Sequence, residues 1–341
     1  MSLFDIFNNE IAIDLGTANT LVYVKDKGVV INEPSIVAIN KRSNKMMAIG
    51  KEAKEMEGRT HDELLTVRPL KDGVIADFEM TELMLQEFIR KVSPARFMGK
   101  RVVVGVPSGI TMVEQRAVRD SAEHAGAKEV YLVAEPMAAA IGVGIDIEAS
   151  KGSMVIDIGG GTAEIAVIAL SGIVCDRSIR SAGDELTKSI ITYFRVQHNL
   201  LLGEQMAEDI KCNIGSAVPL AQELKMEIKG RDIVSGIPKT MKTDSEEVRR
   251  ALEGTIREIV EGTKSTLEKT PPELASDLID RGIVLTGGGA LIKGLDERMR
   301  KETGLPVIVA EDPLTAVVRG VGRVLENLTK YQAVILKNRK Y

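Results

Sequence analysis

The chain contains the stretch Asp14-Leu15-Gly16-Thr17-Ala18-Asn19-Thr20 and repeats its pattern later as Asp157-Ile158-Gly159-Gly160-Gly161-Thr162. Each copy begins with an aspartate that follows an apolar run, residues 11–13 or 154–156. Strand-forming residues follow the glycines, and a third apolar stretch comes after a turn signal in both halves. The sequence therefore contains an internal duplication, and each half predicts a three-stranded meander whose first turn is rich in glycine.

Glycine-rich turns of this kind are typical of phosphate-binding loops. Without side chains, a turn can direct several backbone N–H groups towards one anion, and short polar side chains add further donors. In Walker-type loops and Rossmann turns the glycines lead into a helix, whereas here strand-forming residues follow both copies. We predict that a nucleotide binds between two hairpin tips, although an ordinary hairpin explains either copy alone. The predicted phosphate contacts are Gly16, Thr17, Ala18, Asn19, Thr20, Gly159, Gly160, Gly161 and Thr162.

Asp14 and Asp157 stand where each first strand meets its glycine turn. A carboxylate at that point would face the bound phosphates, which is the arrangement needed to hold a hydrated Mg²⁺ between the β- and γ-oxygens. We therefore predict ATP with Mg²⁺ as the ligand, and Asp14 and Asp157 as the metal-site residues, acting through water.

A third glycine cluster, Thr286-Gly287-Gly288-Gly289-Ala290, lies between an apolar run and an amphipathic pattern that begins at Leu291. This order predicts a strand, a glycine turn and a helix. Consecutive glycines let the flat face of a base or sugar approach the backbone, so we predict adenosine contacts at Gly287, Gly288, Gly289 and Ala290. A tight strand-to-helix connection is the alternative.

Together these motifs resemble the superfamily of actin, sugar kinases and DnaK-type chaperone ATPases, and more narrowly the MreB family of bacterial actin homologues. The narrower resemblance rests also on Val106-Pro107-Ser108-Gly109 and Ala134-Glu135-Pro136-Met137-Ala138-Ala139-Ala140, and it covers about residues 10–330.

The resemblance implies an α/β fold of two actin-like lobes, each a ribonuclease-H-like domain, with the nucleotide in the cleft between them. The lobes would comprise residues 1–139 plus 315–341 and residues 140–314. Smaller subdomains would be inserted at about residues 32–64 and 176–246.

The resemblance also implies slow ATP hydrolysis, in which Glu135 orients or activates the attacking water and Thr162 is its partner. Glu135 precedes Pro136 and an alanine-rich run, so we expect it to cap a helix that starts in the cleft. A carboxylate that merely stabilises a helix start is the alternative.

Glu208 and Lys211 lie on one face of the helical pattern 204–214. The resemblance implies that this pair brackets the adenosine, whereas an exposed ion pair on a charged helix is the plain alternative.

The bulk properties exclude several classes of protein. The net charge is −4, the aromatic content is 3% and there is no sustained basic run, so we expect no nucleic-acid partner. The two cysteines and three histidines lack metal-ligand spacing. With no leader pattern and no long apolar run, we expect a cytoplasmic protein.

Two segments have features of weak membrane anchors. Leu3, Phe4 and Phe7 would share one face of a short N-terminal helix, and Phe97 and Met98 lie in a loop with three flanking cations. Packing of either segment on the protein's own core is the alternative. We predict peripheral contact with the inner face of the cytoplasmic membrane.

The resemblance further implies a homopolymer of paired antiparallel protofilaments that maintains rod cell shape by organising cell-wall synthesis. The partners would be the cell-wall elongation machinery and membrane shape proteins. A DnaK-type chaperone would need a further domain beyond Tyr341, for which we expect no room. A small-molecule kinase or phosphatase of the same superfamily is the alternative function.

Overall fold

The computed structural model describes residues 10–92 and 101–336. The predictions for Leu3, Phe4, Phe7, Phe97 and Met98 therefore lie outside the described residues. The first half of the chain consists of β1 (Ile11–Leu15), β2 (Asn19–Val24), β3 (Gly28–Pro34), β4 (Val37–Asn40), β5 (Lys45–Ile49), α1 (Lys51–Met56), β6 (Leu64–Val67), β7 (Leu70–Lys71), β8 (Val74–Ile75), α2 (Phe78–Val92), β9 (Arg101–Val106), α3 (Met112–His124), β10 (Glu129–Ala134) and α4 (Glu135–Val143).

The second half also begins with three strands and continues with helices and strands. It consists of β11 (Ser153–Ile158), β12 (Ala163–Ala169), β13 (Gly172–Ile179), α5 (Gly183–His198), β14 (Leu200–Leu201), α6 (Glu204–Ile214), β15 (Lys225–Asp232), β16 (Pro238–Asp244), α7 (Ser245–Lys269), α8 (Pro272–Arg281), β17 (Ile283–Thr286), α9 (Leu295–Thr303), β18 (Val307–Val309) and α10 (Ala316–Glu326). Short 3₁₀ turns occupy Gly288–Leu291, Pro313–Thr315 and Gln332–Val334.

The two halves form sheets of the same topology. The first sheet has the order β10-β9-β1-β2-β3 and the second has the order β18-β17-β11-β12-β13. In each, a three-stranded antiparallel meander is extended by two parallel strands. Asp14 pairs with Leu21 and Asp157 pairs with Glu164 at matching positions of the two meanders. The predicted α/β duplication is therefore confirmed.

Two small sheets are built mainly from the segments predicted as insertions, although β6 (Leu64–Val67) extends beyond residue 64. One joins β5, β4 and β6, and the other joins β14, β15 and β16. The lobe and subdomain boundaries themselves stay a prediction.

A shared core joins the two large sheets through α4 and α10. Its buried members include Ala12 and Val103 from the first sheet and Val155 and Ala166 from the second. Each sheet has a further core on its outer side. Helices α2 and α3 pack against the first sheet, and α5 and α7 pack against the second. The packing of α4 against α10 is therefore part of the contact between the two halves.

The third glycine cluster departs from prediction at its helix. The 3₁₀ turn at Gly288–Leu291 comes first, and α9 begins only at Leu295 instead of at Leu291. Gly294 adopts a left-handed conformation with φ of 72°, so the backbone changes direction between the turn and the helix. Among the described helices, none is both long enough and apolar enough to cross a bilayer.

Candidate functional site

The tips of the two glycine hairpins meet in the structure. A β-carbon placed at Gly160 would lie 2.6 Å from Cβ of Ala18, and one at Gly161 would lie 2.5 Å from Oγ1 of Thr17. Only glycine fits so close an approach of two backbones. The fold therefore brings together the two turns that the sequence predicted as opposite sides of a phosphate site.

A third turn, which the sequence analysis missed, lies against both tips. The β7–β8 hairpin turns at Asp72 and Gly73, with φ of 52° and 79°. The Gly73 N–H donates to Oγ1 of Thr17 at 3.1 Å, and a β-carbon there would lie 2.7 Å from Cγ2 of Thr162. An Asp-Gly pair between apolar residues is a strong hairpin signal, so the turn was detectable but its partners were not.

Buried carboxylates gather beside the tips. Burial and then the charge of Asp157 raise the pKa of Asp14 to about 8, although part of its surface stays exposed. Burial raises the pKa of Asp157 to about 6, against the opposing hydrogen bond from Thr286. Burial, followed by the charge of Asp14, raises the pKa of Glu135 well above its usual value. These acids therefore repel one another in surroundings that favour their neutral forms.

A hydrated divalent cation fits this set of oxygens. Within residues 10–92 and 101–336, no three acidic, histidine or cysteine side chains are close enough to hold a metal ion directly. The raised pKa values of Asp14 and Asp157 mean that a cation near them would relieve repulsion. Mg²⁺ keeps several water ligands in nucleotide sites, so contact through water agrees with both observations.

The Thr286 hydroxyl supports Asp157 from the neighbouring strand. Thr286 is fully buried and pairs in register with Asp157, and its Oγ1 donates to Oδ1 of Asp157 at 2.7 Å. The corresponding partner of Asp14 is Gly105, which has no side chain to donate. The hydrogen bond from Thr286 lowers the pKa of Asp157, whereas the charge of Asp157 adds to the rise in the pKa of Asp14.

Glu135 starts α4 but does not cap it, so the capping expectation is wrong. The N-cap position is Ala134, and no side chain caps this helix end. Glu135 is instead the first helical residue, where its carboxylate benefits from the helix dipole. Glu135 is 8% exposed, and the negative charges of Asp14, Glu164 and Asp157 act on its carboxylate. Glu135 therefore belongs to the acidic set beside the tips.

Glu208 and Lys211 form a close ion pair on α6, with 2.7 Å between Nζ and Oε2, and their predicted contact with adenosine stays a prediction. It is more than an exposed pair, because the Lys211 side chain is 11% exposed and its Nζ also donates to the Gly183 carbonyl. The Gly183 N–H in turn donates to the carbonyl of Gly159. The pair is thereby linked to the second glycine tip.

Close packing explains two glycines of the third cluster. A β-carbon at Gly287 would lie 2.3 Å from the Ile158 carbonyl oxygen, and one at Gly289 would lie 2.2 Å from Cγ2 of Ile158. Ala290 is buried, whereas Gly288 is exposed. Of this cluster, Gly288 is thus the residue best presented to a ligand, and the adenosine contacts stay a prediction.

Comparison with known proteins gives one consistent result. The family model described as MreB/Mbl protein matches residues 8–333. Cell shape-determining protein MreB of Escherichia coli (strain K12) is 51% identical over 327 residues, covering 94% of each chain. Cell shape-determining protein Mbl of Bacillus subtilis (strain 168) is 49% identical over 326 residues, covering 95% of this chain and 98% of Mbl.

Similar solved structures belong to actin-like proteins as well. The crystal structure of MreB5 of Spiroplasma citri bound to AMPPNP is 41% identical, with a TM-score of 0.90 over 95% of this chain and 97% of that one. The structure described as the MamK double helical filament is 24% identical with a TM-score of 0.78, a likeness of fold alone. The actin-like two-lobed fold is thereby confirmed.

Proposed function

Because the chain belongs to the MreB/Mbl family, we propose that it is an ATP-hydrolysing, actin-like protein that polymerises into membrane-associated filaments and maintains rod cell shape by organising cell-wall synthesis. The observation that carries the nucleotide part is the meeting of two glycine-rich tips beside acids whose pKa values burial raises. The names of the relatives carry the cell-shape part, and the AMPPNP bound to Spiroplasma citri MreB5 favours ATP.

The binding step follows from the hairpin tips. Backbone N–H groups of residues 16–18 and 159–161 would hold the phosphates from two sides, with Thr17 and Thr162 adding hydroxyl donors. Bound Mg²⁺ would neutralise charge on the β- and γ-phosphates. Because the ligand would touch both sheets, its presence would favour one packing of α4 against α10 over another.

The hydrolytic step needs an in-line water, and positioning supplies most of the catalysis. Glu135 is the acid we assign to that water. Its raised pKa makes the ionised form a stronger base, so it would accept the proton that the attacking water loses. Thr162 lies at the end of the second tip beside Gly73, where its hydroxyl would help to fix the water or the γ-phosphate.

Assembly and location extend the same proposal. We assign self-association into paired protofilaments, contact with the inner face of the cytoplasmic membrane, and partners in the cell-wall elongation machinery. Family membership supports these assignments, and the apolar residues Phe97 and Met98 support the membrane contact.

One experiment tests the nucleotide and filament parts together. The full-length protein is mixed with ATP or ADP and Mg²⁺, with and without vesicles of anionic lipid, and is then sedimented and imaged while phosphate release is recorded. We expect filaments on the vesicles and slow phosphate release. Soluble monomers that transfer phosphate to an added metabolite would instead support a small-molecule kinase.

Glu135→Ala tests the assigned base. This variant should bind ATP as tightly as the unmodified protein but release phosphate at least about a hundredfold more slowly, the lower end of a general base's contribution. Glu148→Ala is the matched control, because Glu148 is an exposed acid shortly after the same helix. Equal turnover in the two variants would remove Glu135 from its role.

A further inference from the structure

Glu164 is a buried acid to which the proposed hydrolysis assigns no direct role, although its charge contributes to the raised pKa values of Glu135 and Asp157. It lies on β12 directly opposite Asp157, and its side chain is completely buried. Every residue of β12 is buried, so Glu164 is the one charged side chain in an apolar strand. The ion pairs of the described residues do not include Glu164. A carboxylate in such surroundings needs strong hydrogen bonds in place of water.

Both carboxylate oxygens of Glu164 accept such bonds. Oε2 accepts from the Ser108 hydroxyl at 2.7 Å and from the Ser108 N–H at 3.2 Å. Oε1 accepts from the Ser178 hydroxyl at 2.5 Å. Hydrogen bonds to an ionised acceptor are roughly twice as strong as neutral ones. The three donors therefore replace the hydration that the buried charge has lost.

The donors come from different sheets. Ser178 lies on β13, beside β12 in the second sheet, whereas Ser108 lies in the loop that follows β9 of the first sheet. That loop is close to the predicted phosphate site, because a β-carbon at Gly73 would lie 3.3 Å from Cγ of Pro107. Glu164 thus connects the strand after the second glycine tip to the opposite half of the molecule.

A charged acceptor would allow two arrangements of this connection. When the sheets are together, Ser108 satisfies the carboxylate. When they separate, water can enter and hydrate the same carboxylate, so opening does not strand a buried charge. A switch of this kind has two arrangements that differ little in free energy, and in each of them the carboxylate has hydrogen-bond donors. An amide would make a weaker bond in the closed arrangement.

We propose that the hydrogen bonds between Glu164 and Ser108 form a latch that holds the two halves of the molecule closed over bound nucleotide and so limits the rate at which nucleotide leaves. Glu164 is then a positioning residue, which acts through the loop 107–109 and does not touch the nucleotide. The inference rests on the proposed nucleotide binding between the hairpin tips.

The two serines provide a matched test, because they donate to the same carboxylate from different sheets. Full-length Ser108→Ala and Ser178→Ala proteins are loaded with a fluorescent ADP analogue and Mg²⁺, and dissociation is followed by stopped flow after dilution into excess ATP. Ser108→Ala should accelerate dissociation about tenfold or more, the usual effect of losing a hydrogen bond to a charged group. Ser178→Ala should change the dissociation rate much less than Ser108→Ala does, because the bond from Ser178 joins two strands of one sheet.

Glu164→Gln gives a second measurement if either serine variant folds poorly by circular dichroism. The amide keeps the shape but weakens the bond, so dissociation should again accelerate, and adding Ser108→Ala should produce little further change. Equal rates in both serine variants, or a Ser108→Ala rate equal to that of the unmodified protein, would overturn the latch. If the unmodified protein fails to bind the analogue, the proposed nucleotide function is wrong. If it binds the analogue but the variants do not show the expected dissociation rates, only the latch is wrong.

Discussion

Replacing Gly320 by alanine should weaken the contact between α4 and α10, which joins the two halves of the protein. A β-carbon at residue 320 would lie 1.7 Å from the backbone oxygen of Ala138, and one at residue 142 would lie 1.8 Å from that of Ala316. Ordinary contact begins at 3.4 Å, so the helices would have to separate by about 1.7 Å, the difference between those distances. Backbone atoms cannot rotate away as a flexible side chain can.

The magnitude follows from packing. A gap of about 0.5–1 Å already removes roughly a quarter to a half of the dispersion attraction between facing atoms. Overpacking a core costs about 1–3 kcal/mol and occasionally more. Alanine recovers about 1 kcal/mol of helix propensity. Because a separation of 1.7 Å exceeds that gap, the cost lies at the upper end of this range, and after the gain in propensity we expect Gly320→Ala to lower the free energy of unfolding by about 2 kcal/mol.

Gly254→Ala is the matched control. Gly254 lies inside α7, is exposed, and has no heavy atom within 4 Å of a placed β-carbon. The same substitution there should raise the free energy of unfolding by about 0.5–1 kcal/mol, because only the helix propensity changes. Urea unfolding followed by circular dichroism measures both variants. A Gly320→Ala protein as stable as the Gly254→Ala protein would refute the packing argument.

Two further predictions concern the buried acids. Without nucleotide, the free energy of unfolding should fall as the pH rises from about 5 to 8. The pKa values of Asp157 (about 6) and Asp14 (about 8) in the folded state exceed their usual value of 3.8. The folded state therefore holds more protons than the unfolded state in this range, and it loses that advantage as the pH rises. Thermal melts across that range should show a melting temperature that falls with pH. Asp14→Asn should make this dependence on pH weaker and should abolish stabilisation by ATP and Mg²⁺. A melting temperature that rises with pH would contradict the raised pKa values of the two aspartates. Thr286→Val removes the donor to Asp157 and should cost about 1–3 kcal/mol at pH 8 but less at pH 5, where Asp157 is protonated. An equal loss at both pH values would mean that the hydroxyl does not act through the Asp157 charge.

Local patterns in the chain predicted much of the architecture. The paired apolar runs around Asp14 and Asp157 predicted both meanders, and the structure confirms them down to the matching register. The helical pattern 204–214 corresponds to α6 with the same bounds. Such features depend on near neighbours in sequence, because side-chain periodicity and turn-forming residues act over a few positions.

Other parts of the site could not be predicted in the same way. Glu135 was expected to cap a helix, but Ala134 occupies that position. The Asp72-Gly73 turn reaches Thr17 across 56 positions, and Ser108 reaches Glu164 across the same number. No local pattern encodes which distant donor meets which acceptor.

The sequence alone determined that two glycine-rich turns, each preceded by an aspartate, end the first strands of a duplicated fold. Only the tertiary structure decided how those turns meet, that Thr286 supports Asp157 while Asp14 lies opposite Gly105, and that Glu164 accepts from Ser108 of the other half. The physical reason is that strand and turn formation depend on adjacent residues. Desolvation, charge repulsion and hydrogen-bond satisfaction depend instead on whichever residues the whole fold packs around each group.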